Sequence, residues 1–123
     1  MESYVRNKRP ILVIAPDPES PTVRAQRAAL ADAVTGFRAR DMVLIEVLDQ
    51  AVWIDGVKSE RDDAAALRKR YDVAEAETAV LLVGKDGGVK QRRSGVLEPR
   101  DLFGLIDTMP MRQREMRTDS ASQ

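Results

Sequence analysis

The chain of 123 residues has the length of one compact domain, and its 43% hydrophobic fraction suffices for a single core. It contains neither cysteine nor histidine, which excludes thiol redox chemistry, thiolate metal sites and histidine-based general-base catalysis. Twenty basic and twenty acidic residues cancel, so no net charge draws the chain towards nucleic acid or anionic lipid.

The first third of the chain predicts a strand followed by a helix. Residues 11–15 (ILVIA) form a continuously apolar run, which is typical of a strand buried on both faces. Ser20 and Pro21 are suited to the N-cap and first position of a helix. Apolar residues then recur at helical spacing from Val23 to Phe37, and Gly36 is expected to end this helix.

The middle of the chain predicts a second strand and a second helix. Residues 42–48 (MVLIEVL) form the strand, and an irregular stretch with Trp53 and Gly56 is expected to follow it. Residues 59–62 (SERD) are expected to open the helix, whose inner face carries Ala64, Leu67 and Tyr71.

The last third predicts a hairpin and a third helix. Residues 79–83 (AVLLV) read as a third central strand, and the pair Asp86-Gly87 favours a tight turn. The returning strand, residues 89–93, is rich in Lys and Arg and is therefore expected at an exposed edge of the sheet. The third helix is expected to begin at Pro99 and to end before Pro110.

The predicted order is β-α-β-α-β-β-α, which is the order of the thioredoxin arrangement. We therefore expect an α/β fold of three layers, with a mixed sheet of about four strands and three helices. Residues 1–116 are expected to form one thioredoxin-like domain. Residues 117–123 are polar and are expected to form a disordered tail.

Three segments, one further residue and one residue pair carry a resemblance to a known family. Residues 80–90 (VLLVGKDGGVK), 102–116 (LFGLIDTMPMRQREM) and 8–16 (KRPILVIAP), together with Gln26 and the pair Arg40-Asp41, resemble the DUF4174 family. The resemblance covers nearly all of residues 4–116. It implies a thioredoxin-like, peroxiredoxin-related domain, and it implies no activity because the family's biochemical role is undefined.

The departures from thioredoxins exclude an inherited thiol activity. Residues 19–22 (ESPT) occupy the loop that would hold Cys-x-x-Cys. The proline that usually precedes the third strand is also missing, since Glu77 and Thr78 stand there.

The first candidate site is the loop of residues 17–22 at the start of the first helix. A helix start offers unpaired N–H groups, which would let an anion bind there with help from Ser20, Thr22 and Arg24. An ordinary capped helix entry is the favoured interpretation of the loop by itself. The acidic pair Asp17 and Glu19 is weak evidence for a hard cation, and no metal or cofactor is predicted.

Two further candidate sites lie in the last third. Lys85, in the turn of residues 84–88, would hold a phosphate or carboxylate, or else is a solvated side chain of the turn. The segment around Pro110 offers a contact surface or, alternatively, packs its helix onto the sheet. Its candidate residues are Asp107, Met109, Met111, Arg112 and Gln113. A basic cluster on the hairpin, Lys85, Lys90, Arg92 and Arg93, is read mainly as protection of the sheet edge.

The sequence therefore predicts a non-catalytic thioredoxin-like module that binds a protein partner or a small anionic ligand. The predicted binding surface combines residues 17–22 with residues 109–113. One alternative is a cysteine-independent enzyme that uses Lys85, Asp107 or Arg112 on a phosphorylated or carboxylated substrate. A second alternative is weak nucleic-acid binding through the hairpin.

The compartment is predicted from what the chain lacks. It has neither a run of the roughly 18–20 apolar residues that span a bilayer nor the apolar segment of a secretion signal. We expect a cytoplasmic protein as written, or a periplasmic or exported one if a leader has been removed. The sequence leaves the oligomeric state open.

Overall fold

A computed structural model describes residues 7–121, with side chains described as far as residue 117. In chain order the strands are β1 (Arg9–Ala15), β2 (Met42–Leu48), β3 (Ala51–Ile54), β4 (Val57–Lys58), β5 (Ala79–Val83) and β6 (Val89–Arg93). The helices are α1 (Pro21–Ala31), α2 (Val34–Ala39), α3 (Ala64–Arg70), α4 (Pro99–Asp107) and α5 (Pro110–Ala121).

The strands form one mixed sheet in the order β4-β3-β2-β1-β5-β6. β1 runs parallel to β2, with Ile11 opposite Leu44, and antiparallel to β5, with Ile11 opposite Leu82. The pairs β2-β3, β3-β4 and β5-β6 are antiparallel. β1 therefore lies in the centre of the sheet, which explains why every one of its residues is buried.

Helices cover both faces of the sheet, because side chains alternate between the two faces along each strand. Ile11 and Val13 point towards α1 and α4, where they pack with Leu30 and Ile106. Leu12 and Ile14 point the other way and share a core with Ala64 and Leu67 of α3. The structure is therefore an α/β fold in three layers, but with six strands and five helices rather than the predicted four and three.

The prediction that Gly36 ends the first helix was wrong. α1 already ends at Ala31, Asp32 is its C-cap, and Gly36 lies within the short helix α2. The physical reason is a close approach between elements: a Cβ built on Gly36 would lie 2.5 Å from Cε2 and 3.0 Å from Cζ of Phe103. Gly36 thus lets α2 touch α4.

Replacing Gly36 with Ala is expected to lower the free energy of unfolding by about 1–2 kcal/mol. The added methyl group improves helix propensity by up to about 1 kcal/mol, but it forces the Phe103 ring to move. Gly104→Ala is the matched control, because a Cβ on Gly104 meets nothing within 4 Å. This control is expected to stabilise by about 0.5–1 kcal/mol in urea unfolding. Equal effects of the two substitutions would contradict the close-contact explanation.

The stretch around Trp53, which we predicted to be irregular, is a hairpin formed by β3 and β4. Its turn consists of Asp55 with φ 48° and Gly56 with φ 83°. Two successive residues with positive φ favour a tight hairpin turn, and an Asp-Gly pair is the sequence signal for one. That signal was present at residues 55–56, but no apolar run after it pointed to a returning strand.

The second helix begins later than predicted, and a further helix follows Pro110. α3 starts at Ala64 because the side chain of Asp63 caps it, accepting a hydrogen bond of 3.0 Å from the Ala65 N–H. α4 stops at Asp107, and Pro110 opens α5. The tail predicted to be disordered from residue 117 is helical as far as Ala121, and residues 122–123 lie outside the described part.

The bounds of β2, β5 and β6 and the start of α4 at Pro99 are confirmed. The turn between β5 and β6 has Gly87 at φ 85°, as the Asp-Gly pair predicted. β6 lies at the edge of the sheet, which confirms the reading of its Lys and Arg residues as an exposed edge. No helix in the described residues is long and apolar enough to cross a bilayer.

Candidate functional site

Seven charged side chains meet at the end of the sheet where β1 begins. This ion-pair cluster consists of Arg9, Arg40, Lys85 and Arg112 with Asp41, Asp107 and Glu115. They come from the first strand, the α2-β2 junction, the β5-β6 hairpin, the last residue of α4, and α5. All seven residues belong to parts of the sequence that resemble the family: residues 8–16, the pair Arg40-Asp41, residues 80–90 and residues 102–116.

Glu115 on α5 is paired with three cations of the cluster: Arg9 and Lys85 donate hydrogen bonds to it, and Arg112 lies 3.6 Å away. Both of its carboxylate oxygens accept hydrogen bonds from the Arg9 guanidinium, at 3.2 and 3.1 Å. The ammonium of Lys85 donates to Glu115 at 2.7 Å and to Asp41 at 2.8 Å. Arg9 also donates to the carbonyl of Arg40 at 2.9 Å, and its side chain is 1% exposed. α5 is thus fastened to the central strand by charge.

Asp107 at the end of α4 joins the other two cations. Arg40 donates two hydrogen bonds to it, at 3.0 and 2.8 Å, and Nε of Arg112 donates a third at 3.2 Å. Arg112 also donates to the carbonyl of Ala39 at 3.0 Å. The guanidinium of Arg40 lies 4.2 Å from the ring centroid of Phe103, so the cluster also makes a cation–π contact with α4.

The two carboxyl groups at the centre of the cluster have pKa values below their ordinary range. Burial by itself raises the pKa of Asp107. The combined hydrogen bonds and charges of Arg40 and Arg112 lower this pKa by more than burial raises it. Burial likewise opposes the lowering at Glu115, where the hydrogen bonds from Arg9 and Lys85 bring the pKa down. Both groups are therefore ionised at neutral pH, and the cluster is charge-paired throughout.

These contacts give the predicted binding residues near Pro110 a structural role. The side chains of Lys85 and Arg112 are 11% and 10% exposed, and both are committed to partners inside the protein. Met109 is half-buried against the core, whereas Met111 and Gln113 are exposed. Of the five candidates in this segment, only Met111 and Gln113 are exposed to solvent.

The loop of residues 17–22 does not meet the segment of residues 109–113. The loop follows the carboxyl end of β1, whereas α5 is fastened to Arg9 at the amino end. Seven strand residues separate these ends, which is roughly 20 Å at 3.3 Å per residue. The combined surface that we predicted therefore does not exist.

The loop itself forms an ordinary helix entry. Asp17 accepts a hydrogen bond of 2.9 Å from the Glu19 N–H, and Arg24 pairs with Glu19. Ser20 is the N-cap residue of α1, but its side chain makes no capping hydrogen bond, and Thr22 is half-buried. In residues 7–121 no group of three acidic side chains is placed to hold a metal ion.

The basic residues of the edge hairpin are also engaged within the protein. Lys90 pairs with Asp86 at 2.8 Å, and Arg92 donates to the carbonyls of Tyr71 and Asp72 and to Glu77. These contacts fasten β6 to the chain after α3. They leave little of this charge for phosphates, and no aromatic side chain stands between the cations.

A cavity of about 550 Å³ lies beside β2, and we call it the basic groove. Its apolar floor consists of Leu30, Phe37, Met42 and Leu44, and its cationic rim of Lys8, Arg27 and Arg38. Two carboxylates also line it, and both are already engaged. Asp41 accepts a hydrogen bond from Lys85, and Asp55 accepts a hydrogen bond of 2.9 Å from the Leu44 N–H. The side chains of Lys8 and Arg38 have no hydrogen-bond or ion-pair partner in the described part of the chain.

Sequence reasoning missed four polar residues that the structure buries, and one of them is Arg68 of α3, which donates to two backbone carbonyls. Arg9 was interpreted only as part of a segment that resembles the family. Gln26 was interpreted only as a position typical of the family, but it exchanges two hydrogen bonds with the backbone of Leu97. Glu46 is buried on β2 and bonds to Arg27 at 2.6 Å. The available signal for Glu46 was one carboxylate within an otherwise apolar strand, MVLIEVL.

Comparison with known proteins gives a family and a distant relative. Residues 1–115 match the model described as "Domain of unknown function (DUF4174)". The chain is also similar to the sushi repeat-containing protein SRPX of Rattus norvegicus, with 27% identity over 120 residues. That similarity covers 94% of this chain and 26% of the rat protein, so the chain spans about a quarter of this relative. No solved structure matches the chain.

Proposed function

The chain belongs to the DUF4174 family, and on that premise we propose that it is a non-catalytic, thioredoxin-like module that binds a small amphipathic anion in the basic groove. The observation that carries the proposal is an apolar cavity of about 550 Å³ with cations at its rim. A volume of this size is typical of small-ligand sites, which combine apolar walls with a few polar groups.

Two topological features support the thioredoxin-like part of the proposal. The four strands β2-β1-β5-β6 are adjacent in the sheet, with only the first pair parallel. α1 and α4 pack on one face and α3 on the other. The ribbon β3-β4, the short α2 and the final α5 are additions to the predicted β-α-β-α-β-β-α order.

The distribution of charge supports an anionic ligand. Lys8 and Arg38 are exposed and unpaired among the described residues, while both carboxylates of the groove already accept hydrogen bonds. A carboxylate at the rim would meet these cations, and its hydrocarbon part would cover Leu30, Phe37 and Met42. An apolar body with one anionic end therefore fits the groove.

The pairing of the ion-pair cluster supports a non-catalytic role. The groups considered for an enzyme, Lys85, Asp107 and Arg112, hold one another or their neighbours, and none lines the basic groove. A reactive lysine or carboxyl group needs an open approach to a substrate, and these groups face the interior contacts of the fold.

Octanoate is the probe that tests this proposal. We expect it to bind the wild-type protein in calorimetric titration, and the double variant Lys8→Ala/Arg38→Ala to bind it roughly tenfold more weakly. Two rim charges contribute about 0.7 kcal/mol each at such exposed positions, and the sum corresponds to a factor of ten.

The control removes two cations outside the groove. Arg100 and Arg117 are exposed, and Arg100→Ala/Arg117→Ala changes the net charge by the same amount. Its octanoate affinity is expected to match that of the wild type. Failure of octanoate to bind, or an equal loss in both double variants, would reject the basic groove as an anion site.

A further inference from the structure

β2 carries one charged residue within seven, and it is the buried Glu46. Its neighbours on the same face of the strand are Leu44 and Leu48, and Trp53 lies directly opposite on β3. The residue as a whole is 2% exposed. An ionised carboxylate in such a place is costly unless other groups compensate for its charge.

Only half of this carboxylate is compensated. Nε of Arg27 donates to Oε2 of Glu46 at 2.6 Å, while Oε1 accepts no hydrogen bond within residues 7–121. The fully enclosed polar side-chain atoms without a partner in that part of the chain are Nε of Arg9, Nε of Arg68 and Oη of Tyr71. Oε1 of Glu46 is not one of them, so it retains an open side.

Glu46 lines a second cavity, of about 430 Å³, which we call the Glu46 cavity. Leu44, Leu48, Trp53 and Pro18 supply its apolar surface, and Glu19, Glu46 and Arg27 supply its charges. Glu19 is already paired with Arg24, so Glu46 is the carboxylate of this cavity that keeps an oxygen for a ligand. The two cavities share Arg27 and Leu44 and therefore adjoin.

Stability does not account for a carboxylate at this position. Replacing a buried ion pair by apolar residues of similar volume is often neutral or stabilising. Arg27, moreover, is 49% exposed and gives Glu46 a single contact. The position instead offers what a ligand cation requires, namely a buried acceptor opposite an aromatic residue.

We propose that the Glu46 cavity binds the ammonium group of a small amphipathic molecule, which donates a hydrogen bond to Oε1 of Glu46 beside the Trp53 indole. This deepens the proposed function, on which it rests: the ligand carries a carboxylate at the basic groove and an amine in the Glu46 cavity. The ligand class is then an amphipathic amino carboxylate whose hydrocarbon chain lies along Leu44.

The test compares three probes of equal chain length on the wild-type protein. They are 8-aminooctanoate, 8-hydroxyoctanoate, whose terminal group is polar but uncharged, and octanoate. We expect 8-aminooctanoate to bind at least about tenfold more tightly than the other two, since a hydrogen bond to a charged group is worth that factor or more. Trp53, the single tryptophan of the chain, reports occupancy by its fluorescence and its indole N–H resonance.

Glu46→Gln removes the charge and keeps the shape of the side chain. This variant is expected to bind 8-aminooctanoate no more tightly than octanoate, with octanoate affinity unchanged within about twofold. Equal binding of the amino and hydroxy probes by the wild type overturns the ammonium site, and this comparison needs no variant to fold. Undiminished binding of 8-aminooctanoate by Glu46→Gln overturns it as well.

Octylamine, which has no carboxylate, separates this inference from the proposed function. If octylamine binds and Glu46→Gln abolishes its binding while octanoate does not bind, the ammonium site stands and the anion site fails. If octanoate binds through Lys8 and Arg38 but the amine brings no gain, the ammonium site fails alone. If none of the probes binds, both proposals are rejected.

Discussion

Replacing Glu115 with Ala is expected to lower the free energy of unfolding by about 3–5 kcal/mol. The substitution leaves the Arg9 guanidinium, which is 1% exposed, with the Arg40 carbonyl as its only acceptor among the described residues. Nε of Arg9 has no partner in that part of the chain either, so the hydrogen bonds of its two terminal nitrogens matter. Removing one member of a buried ion pair costs about this much because the other charge stays buried and uncompensated. Urea unfolding at neutral pH measures the loss.

Arg117→Ala provides the control for Glu115→Ala on the same helix. Arg117 is exposed, and its removal is expected to change stability by less than about 0.5 kcal/mol. A loss of that small size for Glu115→Ala would mean that α5 is not fastened through Arg9. The segment of residues 109–113 would then be available for binding, as the sequence alone suggested.

Gln26→Leu is expected to lower the free energy of unfolding by about 3 kcal/mol. Nε2 of Gln26 donates to the Leu97 carbonyl at 2.9 Å, and Oε1 accepts from the Leu97 N–H at 2.8 Å. Gln26 and Leu97 are 0% and 1% exposed, so water cannot replace either bond. Leucine has a similar volume but leaves two backbone groups unsatisfied, each at about 1–3 kcal/mol.

Gln50→Leu is the same chemical change at an exposed position. It removes no side-chain hydrogen bond among the described residues and is expected to be neutral within about 0.5 kcal/mol. Thermal unfolding of both variants under identical conditions tests the comparison. A Gln26→Leu protein as stable as Gln50→Leu would show that the segment before α4 does not depend on this anchor.

The secondary structure could be predicted where the signal is local. β2, β5 and β6 follow from apolar runs and a turn pair, and Pro99 marks the start of α4. The errors arose where neighbouring elements decide. Gly36 reads as a helix end, yet it is needed for contact with Phe103, which lies 67 residues away in the chain (103 − 36). Pro110 reads as a stop, and it is also a suitable first residue for α5.

The candidate site was less predictable than the fold. Lys85, Asp107 and Arg112 were identified as polar residues of unusual segments, but their partners lie on other elements: Lys85 reaches Asp41 and Glu115, which are 44 and 30 residues away. Such pairs leave no periodic pattern in a sequence. A ligand-binding side chain and a buried structural one therefore look alike until their neighbours are known.

The sequence by itself determined the α/β class, the central strands and the absence of thiol and imidazole chemistry, because composition and local periodicity carry that information. Only the tertiary structure decided which charges are used within the fold and which face a cavity. Burial depends on strand order, which brings Arg9 beside Arg40 and places Glu46 opposite Trp53. A charge that is paired inside the protein stabilises it, and a charge that faces a cavity remains available to a ligand.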